Sequence, residues 1–222
     1  MTARALCGVA LASAACAPAV TATPTYPTRR ARADAVLALG DASARLEAGR
    51  ARTLHVSARV RAAGQVHEGR GIVAVRPPTD VRMVLIGPSG LTALDLWVSG
   101  ARDRLAVPAL ARIERDAPPR PGRPQNFLRW WLLAPLSGRV LWVDDAGRVT
   151  LRARDGATVE VTLRGGRVRA TRRTRTDVER VEADLAGCGE ATWRSEVAGV
   201  EVRIVCESVS GPAPDRAFEA PP

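Results

Sequence analysis

The chain has 222 residues, 46% of them hydrophobic, with 33 basic side chains against 23 acidic ones and a formal net charge of +10. That length and apolar content suit one domain with a sizeable core. Every basic residue is arginine, and the arginines are spread along the chain instead of gathering in a block. This argues against a nucleic-acid partner and leaves a solvated arginine surface or contact with anionic lipid head groups.

Residues 1–15 read as a secretory leader. Arg4 supplies its positive charge, residues 5–15 form an apolar run too short to span a bilayer, and Ala14 and Ala15 are the small residues a signal peptidase needs. The stretch Ala12-Ser13-Ala14-Ala15-Cys16 resembles a lipobox, with Ser13 where the motif usually has Leu. The resemblance makes Cys16 the acylated first residue of the mature protein and, with no further apolar stretch of spanning length, its membrane anchor. The alternative is an ordinary leader cut near Ala15 or Ala19. Either route takes the protein out of the cytoplasm.

Residues 16–30, rich in Pro, Thr and Ala, read as a flexible tether. A single domain is expected over 31–209. Residues 31–48 have helical periodicity, with Val36, Leu37, Leu39 and Leu46 as the apolar stripe. Strands follow. Leu54, Val56, Ala58 and Val60 alternate with His55, Ser57, Arg59 and Arg61. The returning strand covers 66–76, where Gly69 and Gly71 suggest a bulge and Pro77-Pro78 ends the run. Residues 81–86 and 91–98 are apolar on both faces apart from Arg82 and Asp95, so each face of the sheet needs a cover. A further strand is expected over 104–113.

A Pro-rich break at 117–124 precedes a helix over 125–134, with Asn126 as a possible N-cap and Pro135 as its end. From residue 139 onward, Asp145-Ala146-Gly147, Asp155-Gly156 and Gly165-Gly166 separate short alternating runs, and a last hairpin covers 191–206. Residues 210–222 are expected to be disordered. The fold class is mainly β (α+β): about ten antiparallel strands, one preceding helix and one interrupting helix.

Cys188 and Cys206 flank the last hairpin. They form an even pair suited to a disulfide in an oxidising compartment, or else two buried thiols. The chain has no G-x-S-x-G, P-loop, H-E-x-x-H or C-x-x-C motif, so no catalytic residue, metal ligand or cofactor is assigned. His55 and His67 read as polar strand residues that face each other across the first hairpin, and Asp144-Asp145 as turn chemistry. Phe127, Trp130 and Trp131, with Leu128, Leu132 and Leu133, cover most of the circumference of the interrupting helix, which therefore needs contacts on more than one side. The helix either packs one face in the core or roofs an apolar cavity on a curved sheet.

This layout resembles the LolA/LolB superfamily of lipoprotein carriers and receptors. The likeness rests on the lipobox, on 54–74 followed by Pro77-Pro78-Thr79-Asp80-Val81-Arg82-Met83-Val84-Leu85, and on Gly87-Pro88-Ser89-Gly90-Leu91 leading into Leu94-Asp95-Leu96-Trp97-Val98. The resemblance implies a curved antiparallel half-barrel lidded by helices, with a concave apolar cavity for acyl chains or lipoproteins and no catalytic residues. Candidate lining residues are Met83, Leu85, Leu94, Leu96, Phe127, Trp130 and Trp131. Leu91 is the candidate tip of a protruding loop. Ala17 after Cys16 implies the outer membrane, facing the periplasm. The second function class is an envelope assembly lipoprotein that presents its sheet to a periplasmic protein partner.

Overall fold

The computed structural model describes residues 28–47, 51–62, 64–108, 111–116, 121–186 and 188–221. The leader over 1–15, Cys16 and the tether as far as residue 27 lie outside them. Helix α1 (Arg29–Glu47) opens the described chain. Its inward stripe is Ala35, Leu39, Ala42 and Leu46, while Val36 and Leu37 face solvent. The expected stripe was therefore rotated: small alanines at helical spacing face the core, and the bulkier Val36-Leu37 pair does not.

Six strands follow as a meander: β1 (Arg52–Ala62), β2 (Gln65–Arg76), β3 (Asp80–Ile86), β4 (Thr92–Ser99), β5 (Arg102–Val107) and β6 (Arg112–Arg115). Seven more form a second meander: β7 (Arg139–Val143), β8 (Val149–Arg152), β9 (Thr158–Arg164), β10 (Arg167–Arg173), β11 (Val178–Asp184), β12 (Glu190–Ser195) and β13 (Val200–Ser210). All thirteen join one antiparallel sheet in the order β6-β5-β4-β3-β2-β1-β13-β12-β11-β10-β9-β8-β7. The sequence suggested about ten. Ala111, at a φ of 49°, breaks the run expected over 104–113 into two strands. Strand β11, whose Val-Glu-Arg-Val-Glu-Ala-Asp carries three acids, offered a weak signal.

Cross-strand register builds the inner face. One row runs Leu54, Val73, Met83, Leu96, Leu105 across β1 to β5. Another runs Val60, Val202, Trp193, Val181, Ala170, Val161, Val149 from β1 to β8. Strand β2 crosses β3 so closely that a Cβ on Gly71 would sit 1.9 Å from the Val84 carbonyl oxygen. Gly71 is needed for that approach; the β1–β2 register passes through it without the expected bulge.

The outer face carries its own small core. Ala74, Arg82, Trp97 and Arg104 form one outward row. The tail expected to be disordered packs there: a 3-10 turn at Asp215–Phe218 buries Ala213 and Phe218 against Ala74. The Trp97 indole N–H donates to the Phe218 carbonyl at 2.8 Å, and the Arg76 guanidinium lies 4.2 Å over the Phe218 ring. Phe218, buried Ala213 and the Arg76–Asp215 ion pair at 2.9 Å together hold the tail on this face.

Candidate functional site

Strands β6 and β7 are the opposite edges of the sheet, so the chain between them must travel from one edge to the other. It does so across the inner face. Helix α2 (Pro124–Phe127) and a π-helical turn (Leu128–Leu133) form that strap, called the lid below. Arg123, not Asn126, is the residue before the helix, and Pro124 occupies its first turn. Phe127, Leu128, Trp130, Trp131 and Leu133 are all buried.

The structure brings the expected lining residues together. Met83, Leu85 and Leu96 on the inner face and Phe127, Trp130 and Trp131 on the lid belong to one apolar cluster, against which Leu94 packs. An open cavity, however, is not what they enclose. Lid side chains fill the trough, and a space of about 70 Å³ lies between lid and sheet, beside Leu46, Leu54, Phe127, Trp131 and Leu132. Ligand sites generally need about 300–1,000 Å³. Leu91 is 72% exposed in a tight turn closed by the Gly87 N–H donating to the Leu91 carbonyl at 2.9 Å.

Side chains that sequence reasoning did not single out pin the lid. Asp103 on β5 is buried and accepts from Arg123 at 2.9 Å and from Arg129 at 3.1 Å. The Arg129 guanidinium also donates to the carbonyls of Gly100, Ala101 and Arg102. At the entry to the lid, the Gly122 N–H donates to Asp177, which also accepts from Ser195 Oγ at 2.7 Å. Beyond the lid, Ser43 Oγ of α1 donates to the Pro135 carbonyl at 3.1 Å.

A second polar group lies under the lid itself. Glu179 on β11 is fully buried and accepts from Arg172, which also pairs with Asp155. The Arg172 guanidinium lies 5.8 Å from the Trp130 ring centroid. Burial pushes the Glu179 carboxyl above its usual range. Arg172 and the Asn126 side chain offset this only in part, and nearby Asp177 adds to it. On β12 the Trp193 ring is buried 5.9 Å from Phe127. The alternation of β11 and β12 could have placed Glu179 and Trp193 inward, but only once their pairing was known.

The two histidines do not meet: His55 pairs with Ile72, and His67 with Val60. Among the described residues no cluster of three or more His, Cys, Asp or Glu is placed to hold a metal ion. Cys188 and Cys206 form a disulfide with their Cα atoms 5.1 Å apart. On the outer face, a groove of about 550 Å³ is lined by Ser57, Arg59, Glu68, Arg70, Ile86, Arg203 and Val205.

No family model matches the chain, and no curated protein sequence does. Solved structures do. A LolA superfamily protein from Nitrosomonas europaea aligns over 84% of this chain and 97% of its own, at 12% identity and a TM-score of 0.55. A domain named for outer-membrane lipoprotein sorting, from Vibrio parahaemolyticus, aligns over 85% and 97% at 12% identity and a TM-score of 0.47. The chain therefore has a LolA-like fold, an open curved sheet with helical cover, as the sequence resemblance implied.

Proposed function

We propose that this chain is a lipid-anchored cell-envelope protein that holds acyl chains, free or borne by lipoproteins, between its sheet and its lid. Cys16 is the anchor, and the outer membrane, on its periplasmic side, is the location. Met83, Leu85, Leu94 and Leu96 line the floor, and Phe127, Trp130 and Trp131 the roof.

The observation behind this reading is how the lid is held. It belongs to neither meander and pairs with no strand; polar contacts of Gly122 and Arg123 at its entry, Arg129 within it and the Pro135 carbonyl just past it hold it, while its large apolar side chains lie on the trough. With about 70 Å³ free, an acyl chain enters only as the lid lifts. The ligand buries the inner face in place of Phe127, Trp130 and Trp131, and the empty protein never exposes its trough to water. The LolA-like fold supports the reading at the level of architecture.

The test uses the polypeptide from residue 17 onward, which contains every described residue. Purified from cells, it should carry co-purifying lipid by native mass spectrometry, and the delipidated protein should bind a neutral acyl probe with saturation. An empty protein that also fails to bind the probe defeats the proposal. The second reading, an assembly protein that docks a protein partner through its sheet, is favoured by the outer groove, where Ile86 and Val205 remain exposed among arginines. Saturable acyl binding counts against it as the main role.

A further inference from the structure

We infer that the trough has a built polar end, formed by Glu179, Trp193 and Gln125, which receives the amide linkage of an acylated ligand while its hydrocarbon runs under the lid. This rests on the acyl-binding proposal and adds to it a ligand class and an orientation.

Among the described residues, the side chains of Glu179, Trp193 and Gln125 are at most 1% exposed and have polar atoms with no hydrogen-bond partner: Glu179 Oε1, Trp193 Nε1 and both Oε1 and Nε2 of Gln125. Buried polar groups are nearly always paired, so three on facing elements call for an explanation. Glu179 lies opposite Ser195 and Trp193 opposite Val181 on the paired strands β11 and β12, which puts them one step apart on the inner face. The lid meets both: Asn126 supports the Glu179 carboxylate, and Phe127 packs on Trp193. Gln125 is on the same turn of the lid.

The arrangement has a direction. Glu179 is linked through Arg172 to Asp155, which is half exposed, so the polar end approaches solvent. The small free space lies beside Ala183 and Ala191, on the far side of Phe127. From Glu179 to Ala183 is four strand residues, about 13 Å at about 3.3 Å per residue. A ligand with its head at Glu179 and its tail toward that space lies along the lid.

The unpaired atoms select the head group. The Trp193 indole N–H can only donate, the Glu179 oxygen accepts, and the Gln125 amide does both. A secondary amide offers one carbonyl acceptor and one N–H donor and matches the set. An ester has no N–H for Glu179. A free fatty carboxylate brings a second anion against Glu179, with Asp177 already near.

The test measures binding of three probes of equal chain length, N-methyldodecanamide, methyl dodecanoate and dodecanoate, to the polypeptide from residue 17 onward by calorimetry at pH 8. The amide should bind roughly tenfold more tightly than the ester and more tightly still than dodecanoate. Trp193→Phe keeps an aromatic ring against Phe127 but removes the donor, and should weaken amide and ester together. Glu179→Gln should abolish discrimination against dodecanoate. Equal binding of all three probes, unchanged in both variants, overturns the polar end and leaves the acyl-binding proposal standing. Failure of every probe to bind overturns both.

Discussion

Arg123 and Asp103 form an ion pair at 2.9 Å with both side chains more than nine-tenths buried, and it ties the entry of the lid to strand β5. Arg129 shares the same carboxylate from six residues along. Removing one partner of a buried pair leaves an uncompensated charge, which costs about 3–5 kcal/mol. Asp103→Ala should lower stability by that order in urea unfolding and should raise amide hydrogen exchange over 124–133 ahead of the rest of the chain. An unchanged unfolding midpoint would show that the pair does not hold the lid.

The Cys188–Cys206 bridge closes an 18-residue separation across the hairpin of β12 and β13. The chain-entropy model gives about 3 kcal/mol for a loop of this size. Strand β13 joins the two meanders through β1, so loosening it weakens the centre of the sheet rather than an edge. Cys188→Ser should lower Tm by about 6–12 °C, given about 2–4 °C per kcal/mol at this chain length. Reductant should lower the wild-type Tm by the same amount and leave the variant unmoved.

The parts of the fold legible in the sequence were those with local signals. Alternation over 54–61, the apolar pair of strands at 81–86 and 91–98, and the turn glycines Gly147, Gly156 and Gly165 each have a mechanism confined to a few residues. What was not legible depends on pairing across long separations. Nothing near Asp103 announces Arg123, 20 residues later, or Arg129. Glu179 carries no local signal that sets it apart from Glu182 and Asp184; register puts it inward beside Arg172. Trp130 and Trp131 read equally as roof or as core. The structure packs both into the core, on a strap that has to cross the inner face from β6 to β7.

Phe218 is part of what docks the tail. It is buried against Ala74, and its carbonyl accepts from Trp97. Phe218→Ala should remove roughly 2–4 kcal/mol, at the lower end of core Phe→Ala losses because the cluster is small. The backbone carbonyl at 218 survives the substitution, but an undocked tail no longer holds it against the Trp97 N–H, so Trp97 fluorescence should shift to the red as water reaches it. A chain ending at residue 211 should give the same red shift. If neither variant moves the emission, the tail does not cover this face in solution.

Individual carboxylates give stability opposite dependences on pH. At Asp80, burial alone would raise the pKa, but hydrogen bonds from Ser99, Arg76 and Thr79 outweigh it and hold the group below the usual range. At Asp155, burial is likewise outweighed, by the Ala157 N–H and by Arg172. A lowered folded pKa contributes stability above the unfolded value of about 3.9, and that contribution is lost as the pH falls through the folded value. Glu179 has the reverse sign. Its raised folded pKa imposes no cost below about 4.3, the unfolded value, and reduces stability as the pH rises from there through the folded value. The wild-type curve should therefore climb from low pH and then fall gently. Asp80→Asn should flatten the climb, whereas Glu179→Gln should remove the fall and leave the climb intact. Denaturant midpoints measured from pH 3 to pH 8 resolve the two limbs. If Glu179→Gln retains the descending limb, the buried carboxyl is not its source, and Glu179 is then not held in the dry, lid-covered setting that both the trough and its polar end require.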